Sequence, residues 1–170
     1  MHLKLFVIFL TAILLSACVE EDQPKNIGVE GGDMLPSFSI VLNTGEQVSD
    51  ISLRGKVAVI EFFNTSCGDC REFFPLYQNL YDEFKENPEV EIFSIARDEQ
   101  ESSIINYWIE NNLTIPFSPQ PDRQIYNLFA TVGIPRVYIA DKKGIIRYVL
   151  TDADHPTLSQ LRADIQTLLE

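Results

Sequence analysis

The sequence predicts one α/β domain built on a central mixed sheet with helices on its faces. Its 170 residues are 45% hydrophobic and 22% charged, which suffices for one sizeable core and is too little for two ordinary domains. Residues 56–63 form a nearly continuous apolar run, typical of a strand buried on both faces of a parallel sheet. Other short β-branched runs alternate with stretches of helical spacing along the chain. Three cysteines are too few for a small disulfide-rich fold.

Residues 1–17 contain the parts of a secretory signal peptide in their usual order. One basic residue, Lys4, precedes an apolar run over 5–15, and the small residues Ser16 and Ala17 follow. The run is shorter than the roughly 18–20 apolar residues of a membrane-spanning helix. A cleaved signal is therefore favoured over the alternative, an uncleaved anchor.

Residues 18–33 are predicted to be a flexible acidic tether, and residues 34–170 the folded domain. The tether is polar and acidic and contains Gly28, Gly31 and Gly32, a composition that does not support a packed element. The whole chain carries 13 Lys and Arg against 25 Asp and Glu, a formal net charge of −12. This charge argues against nucleic-acid binding, because phosphate recognition needs clustered cations.

The first half of the domain is predicted to contain a small hairpin, the buried strand and a long helix. Residues 38–42 and 46–48 are short β-type runs that precede the strand at 56–63. From Gly68 the apolar residues recur at helical spacing, and they comprise Phe73, Phe74, Tyr77, Leu80, Tyr81 and Phe84. Pro75 lies inside this helix and is expected to kink it.

The second half continues the alternation of strands and helices. The predicted elements are a strand at 91–96, helices at 99–111 and 122–131, strands at 136–140 and 145–149, and an amphipathic helix at 157–169. The two strands flank the turn Asp141-Lys142-Lys143-Gly144 and are expected to form a hairpin.

Cys67 and Cys70 stand where the buried strand ends and the long helix begins. Amide donors and the dipole at a helix N-terminus favour an anion, so Cys67 is expected to react as a thiolate. Cys70 follows three residues later on the same face of the first turn, close enough to close a small disulfide ring. A Cys-x-x-Cys at such a junction predicts a redox-active disulfide as the reactive group, with no metal or other cofactor.

With these features the sequence resembles the thioredoxin fold, and specifically the TlpA/ResA-like branch of membrane-tethered thiol–disulfide oxidoreductases. The resemblance runs from about Met34 to the C-terminus. It rests on Leu53-Arg54-Gly55-Lys56 before the strand, on the Cys-x-x-Cys helix with its proline, on residues 122–132, and on Gly133-Ile134-Pro135. It implies a thioredoxin fold with an N-terminal β-hairpin extension and an extra αβ insertion.

The resemblance also implies a mechanism and partners. Pro135 should have a cis peptide bond and face the two sulfurs, leaving the carbonyl and amide of Ile134 free to pair with an extended substrate strand. Cys67 should attack a substrate disulfide and Cys70 should release the product. The partners would be exported proteins with disulfides or dithiols, and a DsbD-like membrane protein would supply electrons for the favoured direction, reduction.

The end of the signal peptide resembles the lipobox of bacterial lipoproteins. It is Leu15-Ser16-Ala17-Cys18, and in that family the cysteine becomes the acylated first residue of the mature protein. Acyl chains on Cys18 would hold the domain at a lipid bilayer, each buried methylene contributing roughly 0.8 kcal/mol. The implied location is the bacterial cell envelope, on the periplasmic or the outer-membrane and surface side.

Glu61 is a further candidate catalytic residue. It lies six positions before Cys67 on an otherwise apolar strand, where thioredoxins carry a buried acid. Burial would raise the pKa of its carboxyl and allow it to exchange a proton with Cys70 through water. The alternative is an edge-facing or salt-bridged glutamate without a catalytic role.

Several residues near the cysteines depart from the family pattern. Ser66 stands where the family usually has Trp, and Asp69 where it usually has Pro. Asp69 opposes a thiolate at Cys67, whereas Arg71 favours it. Arg136, after the predicted cis-proline, is either a second cation that favours the thiolate or a solvated charge, and the second interpretation is preferred. The acidic run 98–101 is interpreted as the start of a helix.

Three other functions fit the sequence less well. A peroxiredoxin would use Cys67 as a peroxidatic thiol in a Pro-x-x-x-Thr-x-x-Cys motif, but Ile60 and Asn64 occupy the Pro and Thr positions. A Sco-like copper chaperone expects Cys-x-x-x-Cys and a late histidine, and only His155 is available late in this chain. A binding module with an inert disulfide would gain little stability from so small a ring.

Overall fold

The computed structural model describes residues 28–151 and 153–170. The predicted signal peptide at 1–17, the predicted acylation site Cys18 and most of the predicted tether lie outside the described residues. Within the described ranges, no helix is long and apolar enough to cross a membrane.

Seven strands and four helices make up the described part of the chain. In chain order they are β1 (Ser39–Val41), β2 (Gln47–Ser49), β3 (Val57–Phe63), α1 (Gly68–Phe84), β4 (Val90–Ala96), α2 (Glu101–Glu110), β5 (Phe117–Ser118), α3 (Tyr126–Phe129), β6 (Arg136–Ala140), β7 (Ile146–Thr151) and α4 (Leu158–Leu169).

β3 is the central strand of a five-stranded mixed sheet. The strand order is β5-β4-β3-β6-β7, with β3 parallel to β4 and antiparallel to β6. All seven residues of β3 are buried, as its apolar run predicts. β1 and β2 form a separate hairpin, and α2 and β5 lie between β4 and α3. The thioredoxin fold with the predicted hairpin and αβ insertion is confirmed.

The sheet separates two clusters of buried side chains. Ile60 and Phe62 of β3 pack on one side with Phe129 and Tyr138. The other cluster joins the sheet to α1 and α4, and its members include Val57, Val59, Tyr77, Leu80, Leu161 and Ile165. Since side chains alternate along a strand, Glu61 shares the face of Val59, which α1 covers. α1 continues through Pro75 to Phe84.

The predicted helix at 122–131 is much shorter in the structure, where α3 covers only Tyr126–Phe129. The Asp122 carboxylate accepts a hydrogen bond from the Gln124 backbone amide at 2.9 Å, which stabilises a turn at the expected start of the helix. β5 was not predicted, because its two residues are too few to give a periodic pattern.

Residues 28–33 were predicted to belong to the flexible tether, and the structure packs them on the domain instead. The amide of Val29 donates to the Phe129 carbonyl at 2.9 Å, and that of Gly32 donates to the Ile146 carbonyl at 2.8 Å. A Cβ at Gly28 would lie 2.2 Å from the Phe129 carbonyl oxygen, so this contact requires glycine. Gly28, a residue whose composition signal indicates flexibility, here permits close backbone packing.

Candidate active site

The two cysteines lie at the N-terminus of α1, where the sequence places them. Cys67 is the N-cap residue, with φ −78° and ψ 125°, and Cys70 is in the first turn. Both are free thiols; Cys67 is half-buried and Cys70 is fully buried. The exposed sulfur is thus the one that a substrate disulfide can reach.

The Cys70 thiol is held in its protonated form by its surroundings. Burial raises the pKa of Cys70 far above the ordinary value, and contact with Cys67 and the charge of Glu61 raise it further. Cys70 therefore becomes a nucleophile only when its proton is removed.

The Ile134–Pro135 peptide bond is cis, as predicted. The Cys67 thiol donates to the Ile134 carbonyl, with 3.5 Å between sulfur and oxygen. The prediction that the Ile134 carbonyl is free to pair with a substrate strand is therefore modified. In the dithiol form Ile134 already accepts a hydrogen bond from the sulfur that a substrate would approach.

Glu61 is a fully buried carboxyl behind the cysteines. It faces Ser94 across the β3–β4 pair, and the Ser94 hydroxyl donates to Oε2 at 2.6 Å. Its other oxygen, Oε1, has no hydrogen-bond partner among the described residues. Burial raises the pKa of Glu61 to about 8, although the Ser94 hydrogen bond lowers it somewhat. Glu61 is thus neither edge-facing nor ion-paired with a described residue, and its catalytic role stays a prediction.

The loop before Cys67 is bound to the end of β4 by a carboxylate. The Thr65 amide donates to Glu99 Oε2 at 2.7 Å, and the Thr65 hydroxyl donates to Oε1. Asn64 Nδ2 donates to the Arg97 carbonyl at 3.1 Å, while its Oδ1 accepts from the Ser66 amide at 2.8 Å. Glu99, interpreted from sequence as part of a helix-start charge cluster, instead positions the cysteine loop.

A signal for Glu99 was present in the sequence. The carboxyl ends of parallel strands meet at one edge of a sheet. Glu99 follows β4 as the loop 64–66 follows β3, and these two strands are parallel. A polar side chain just after β4 is therefore placed to reach the loop that carries Cys67.

Arg71 supports the same loop from the helix. Its Nε donates to the Thr65 carbonyl, and its guanidinium lies 5.6 Å from the centre of the Tyr107 ring. The Arg71 guanidinium, which was expected to favour the Cys67 thiolate, is thus bound to the backbone of the loop before Cys67.

Arg136 is buried, with 6% of its surface exposed, so its interpretation as a solvated charge is wrong. It begins β6 opposite Phe62 and shares a face of the sheet with Tyr138, two residues on, and both of these side chains are buried. Its Nη2 donates to the Val132 carbonyl at 3.0 Å. The guanidinium therefore holds the segment that leads to Pro135.

A groove of about 220 Å³ lies beside Pro135. One wall is the exposed side of the first turns of α1, including Asp69 and Glu72, and the other is the segment before α4, including His155. Among the described residues, no group of three or more His, Cys, Asp and Glu side chains is arranged to hold a metal ion.

Residues 31–149 match the AhpC/TSA family. The chain belongs to the AhpC/TSA family. Within it, the chain is similar to the thiol-disulfide oxidoreductase ResA of Oceanobacillus iheyensis, with 28% identity over 86% of this chain and 78% of that protein. It is also similar to the thiol-disulfide oxidoreductase ResA of Bacillus subtilis, with 26% identity over 72% of this chain and 67% of that protein.

A solved structure shows the same fold. It is a thiol:disulfide interchange protein of the thioredoxin family from Chlorobium tepidum, with a TM-score of 0.70 and 22% identity over 85% of this chain and 100% of that one. The family match, the ResA-like relatives, the shared fold and the Cys-x-x-Cys pair together identify the protein as a thiol–disulfide oxidoreductase.

Proposed function

We propose that this protein reduces disulfides in exported proteins while a lipid on Cys18 tethers it to a membrane of the cell envelope. The observation that carries the proposal is the arrangement at the start of α1. A half-buried Cys67 thiol lies against the Ile134 carbonyl beside a cis-proline, with a buried, protonated Cys70 behind it.

The reaction would use the cysteine pair as the only redox group. The Cys67 thiolate attacks one sulfur of a substrate disulfide, forming a mixed disulfide, and the displaced substrate thiolate takes up a proton. Cys70 then loses its proton and attacks the Cys67 sulfur. The products are a Cys67–Cys70 disulfide and the second substrate thiol, so two electrons pass from the pair to the substrate.

Glu61 is the group best placed to exchange the Cys70 proton. Its charge acts on the Cys70 thiol, and its Oε1 is unpartnered among the described residues. With a pKa of about 8, its carboxyl changes protonation near physiological pH. The proton would pass between the two groups through water.

The tether would keep the domain close to the bilayer. Nine residues lie between Cys18 and Gly28, the first described residue, and the ten residue steps from one to the other span at most about 36 Å when fully extended. A DsbD-like membrane protein within that distance would return the pair to its dithiol form.

Mixed-disulfide trapping in the native envelope tests the proposal. The full-length Cys70→Ser protein should accumulate covalent complexes with exported proteins through Cys67, and a Cys67→Ser protein should accumulate none. Complexes that are absent or independent of Cys67 would refute the reductase role. Incorporation of labelled fatty acid into wild type but not into Cys18→Ala tests the tether separately.

A thiol peroxidase remains the comparison to exclude by assay. Asn64 occupies the position of the peroxidatic threonine, and its side chain bonds to the Arg97 carbonyl and the Ser66 amide. We expect hydrogen peroxide consumption to be far slower than disulfide reduction. Comparable rates would favour the peroxidase.

A further inference from the structure

The groove beside Pro135 combines an apolar floor with acidic side chains. Phe73 and Leu76 of α1 and Val137 and Leu150 of the sheet contribute its apolar surface. It is next to the cis-proline, on the side of α1 that carries the residues between and after the two cysteines. A substrate segment bound at Cys67 would therefore place a neighbouring side chain over it.

The acidic groups of the groove are Asp69 and Glu72. They lie three residues apart on α1, so they project from the same face of the helix. Both are exposed, and neither forms an ion pair with a described residue. No basic side chain of the described chain neutralises them, so they are available to a ligand.

The nearest arginines in the sequence are committed elsewhere. Arg71 is bound to the Thr65 carbonyl and lies over Tyr107, and Arg136 is buried and bound to the Val132 carbonyl. The remaining titratable residue lining the groove is His155. Even a positively charged His155 would leave the two carboxylates in excess.

We propose that this groove selects substrates that carry a lysine or arginine within a few residues of the attacked cysteine; the inference rests on the proposed reductase function. Such a side chain has an apolar stem that packs on the floor and a cationic head that reaches the carboxylates. A volume of about 220 Å³ suits a single long side chain rather than a larger ligand. The net charge of −12 also attracts cationic segments and so reinforces the preference of the groove for lysine or arginine.

Three matched disulfide peptides test this proposal. The peptides differ only in the residue at one position near the cysteine, which is Lys, Gln or Glu. The mature protein reduces each peptide under the same conditions. We expect kcat/KM to be about tenfold higher for the Lys peptide than for the Glu peptide at low salt, and the ratio to shrink toward one in about 1 M salt.

Variants of Glu72 locate the effect. Glu72→Gln should reduce the Lys-to-Glu ratio, and Glu72→Lys should invert it. Glu101→Gln removes an equally exposed acid from the first turn of α2, outside the groove, and should keep the wild-type ratio.

Each result has one meaning. Equal rates for the three peptides with wild type, or a Lys preference that both Glu72 variants retain, would overturn the groove while leaving the reductase intact. Absence of turnover with every peptide, including the neutral one, would refute the reductase function and this inference with it.

Discussion

The two loops that meet at the active site are held by different sets of side chains. The acceptor-held loop 64–66, which leads to Cys67, has backbone amides that donate to the Glu99 carboxylate and the Asn64 side-chain oxygen, while its Thr65 carbonyl accepts from Arg71. The segment 131–133, which leads to Pro135, has carbonyls that accept from donors. These donors are the Arg123 guanidinium at 3.1 Å, the Arg136 guanidinium at 3.0 Å and the Tyr126 hydroxyl at 2.7 Å.

This difference determines which backbone groups remain for a substrate. The carbonyls of 131–133 are occupied by side chains, and the Ile134 carbonyl accepts the Cys67 thiol. Loss of the thiol proton removes that hydrogen bond, so the reacting sulfur itself controls when the Ile134 carbonyl is released. The acceptor-held loop carries the nucleophile, and the donor-held loop carries the surface on which a substrate strand would lie.

The largest expected effect concerns the sulfur between the loops. Cys67→Ser should reduce disulfide exchange with dithiothreitol to the uncatalysed rate, because the attacking nucleophile is lost. Cys70→Ser should still form a mixed disulfide in a single turnover, since Cys67 and the Ile134 carbonyl are untouched. If Cys67→Ser keeps exchange and Cys70→Ser loses it, the roles assigned to the two sulfurs are reversed.

The next largest effect concerns the buried carboxyl of Glu61, which lies behind the two loops, and it appears in the pH dependence of stability. The folded protein holds the Glu61 proton up to about pH 8, whereas the unfolded chain releases it near 4.5. The free energy of unfolding should therefore fall as pH rises between these values, by about 1.4 kcal/mol per pH unit from this group. Above about pH 8, Glu61 is ionised in both the folded and the unfolded state, so it no longer changes the free energy of unfolding with pH.

Denaturant unfolding from pH 5 to 9 checks that dependence. Glu61→Gln should have a flatter profile than wild type. Ser94→Ala, which removes the hydrogen bond that lowers the Glu61 pKa, should extend the decline to higher pH. Identical slopes for wild type and Glu61→Gln would show that this carboxyl does not titrate as described.

A smaller effect is expected at the acceptor-held loop. Glu99→Ala removes both hydrogen bonds from Thr65 and should cost about 2–3 kcal/mol of stability. It should also lower kcat, because the backbone before Cys67 loses its anchor. Glu101→Ala, an exposed acid two residues away, should stay within about 0.5 kcal/mol of wild type. Equal losses for both variants would remove the special role of Glu99.

The donor-held loop should respond least to a single change. Tyr126→Phe deletes one hydroxyl and leaves the Gly133 carbonyl without that donor, at a cost of about 1 kcal/mol. Because Arg123 and Arg136 still hold neighbouring carbonyls, we expect the KM for a peptide disulfide to rise less than about threefold. If Tyr126→Phe lost more stability than Glu99→Ala, the donor-held loop would be the more sensitive of the two, contrary to this prediction.

The parts predicted from sequence are those with a local signal. The apolar run of β3 and the helical spacing after Gly68 place Cys67 and Cys70 at a strand–helix junction. Burial of Glu61 follows from its position on that strand. These features depend on residues close together in the chain, so the pattern contains them.

The parts that were missed depend on contacts between distant segments. Glu99 reaches Thr65 across 34 residues, and its place just after β4 indicates this contact only when β3 and β4 are known to be parallel neighbours. Arg136 is buried because it shares a covered face of the sheet with Tyr138 and the opposite residue Phe62, a pairing that its own sequence does not specify. Residues 28–33 are glycine-rich and acidic, yet they pack because Phe129 and Ile146 present backbone partners to them.

Gly28 has a mechanical consequence if the protein is attached through Cys18 as proposed. A pull transmitted through the preceding residues would enter the domain where Gly28 contacts the Phe129 carbonyl, six residues before Pro135. Under the proposed tether, the load would therefore arrive next to the cis-proline segment.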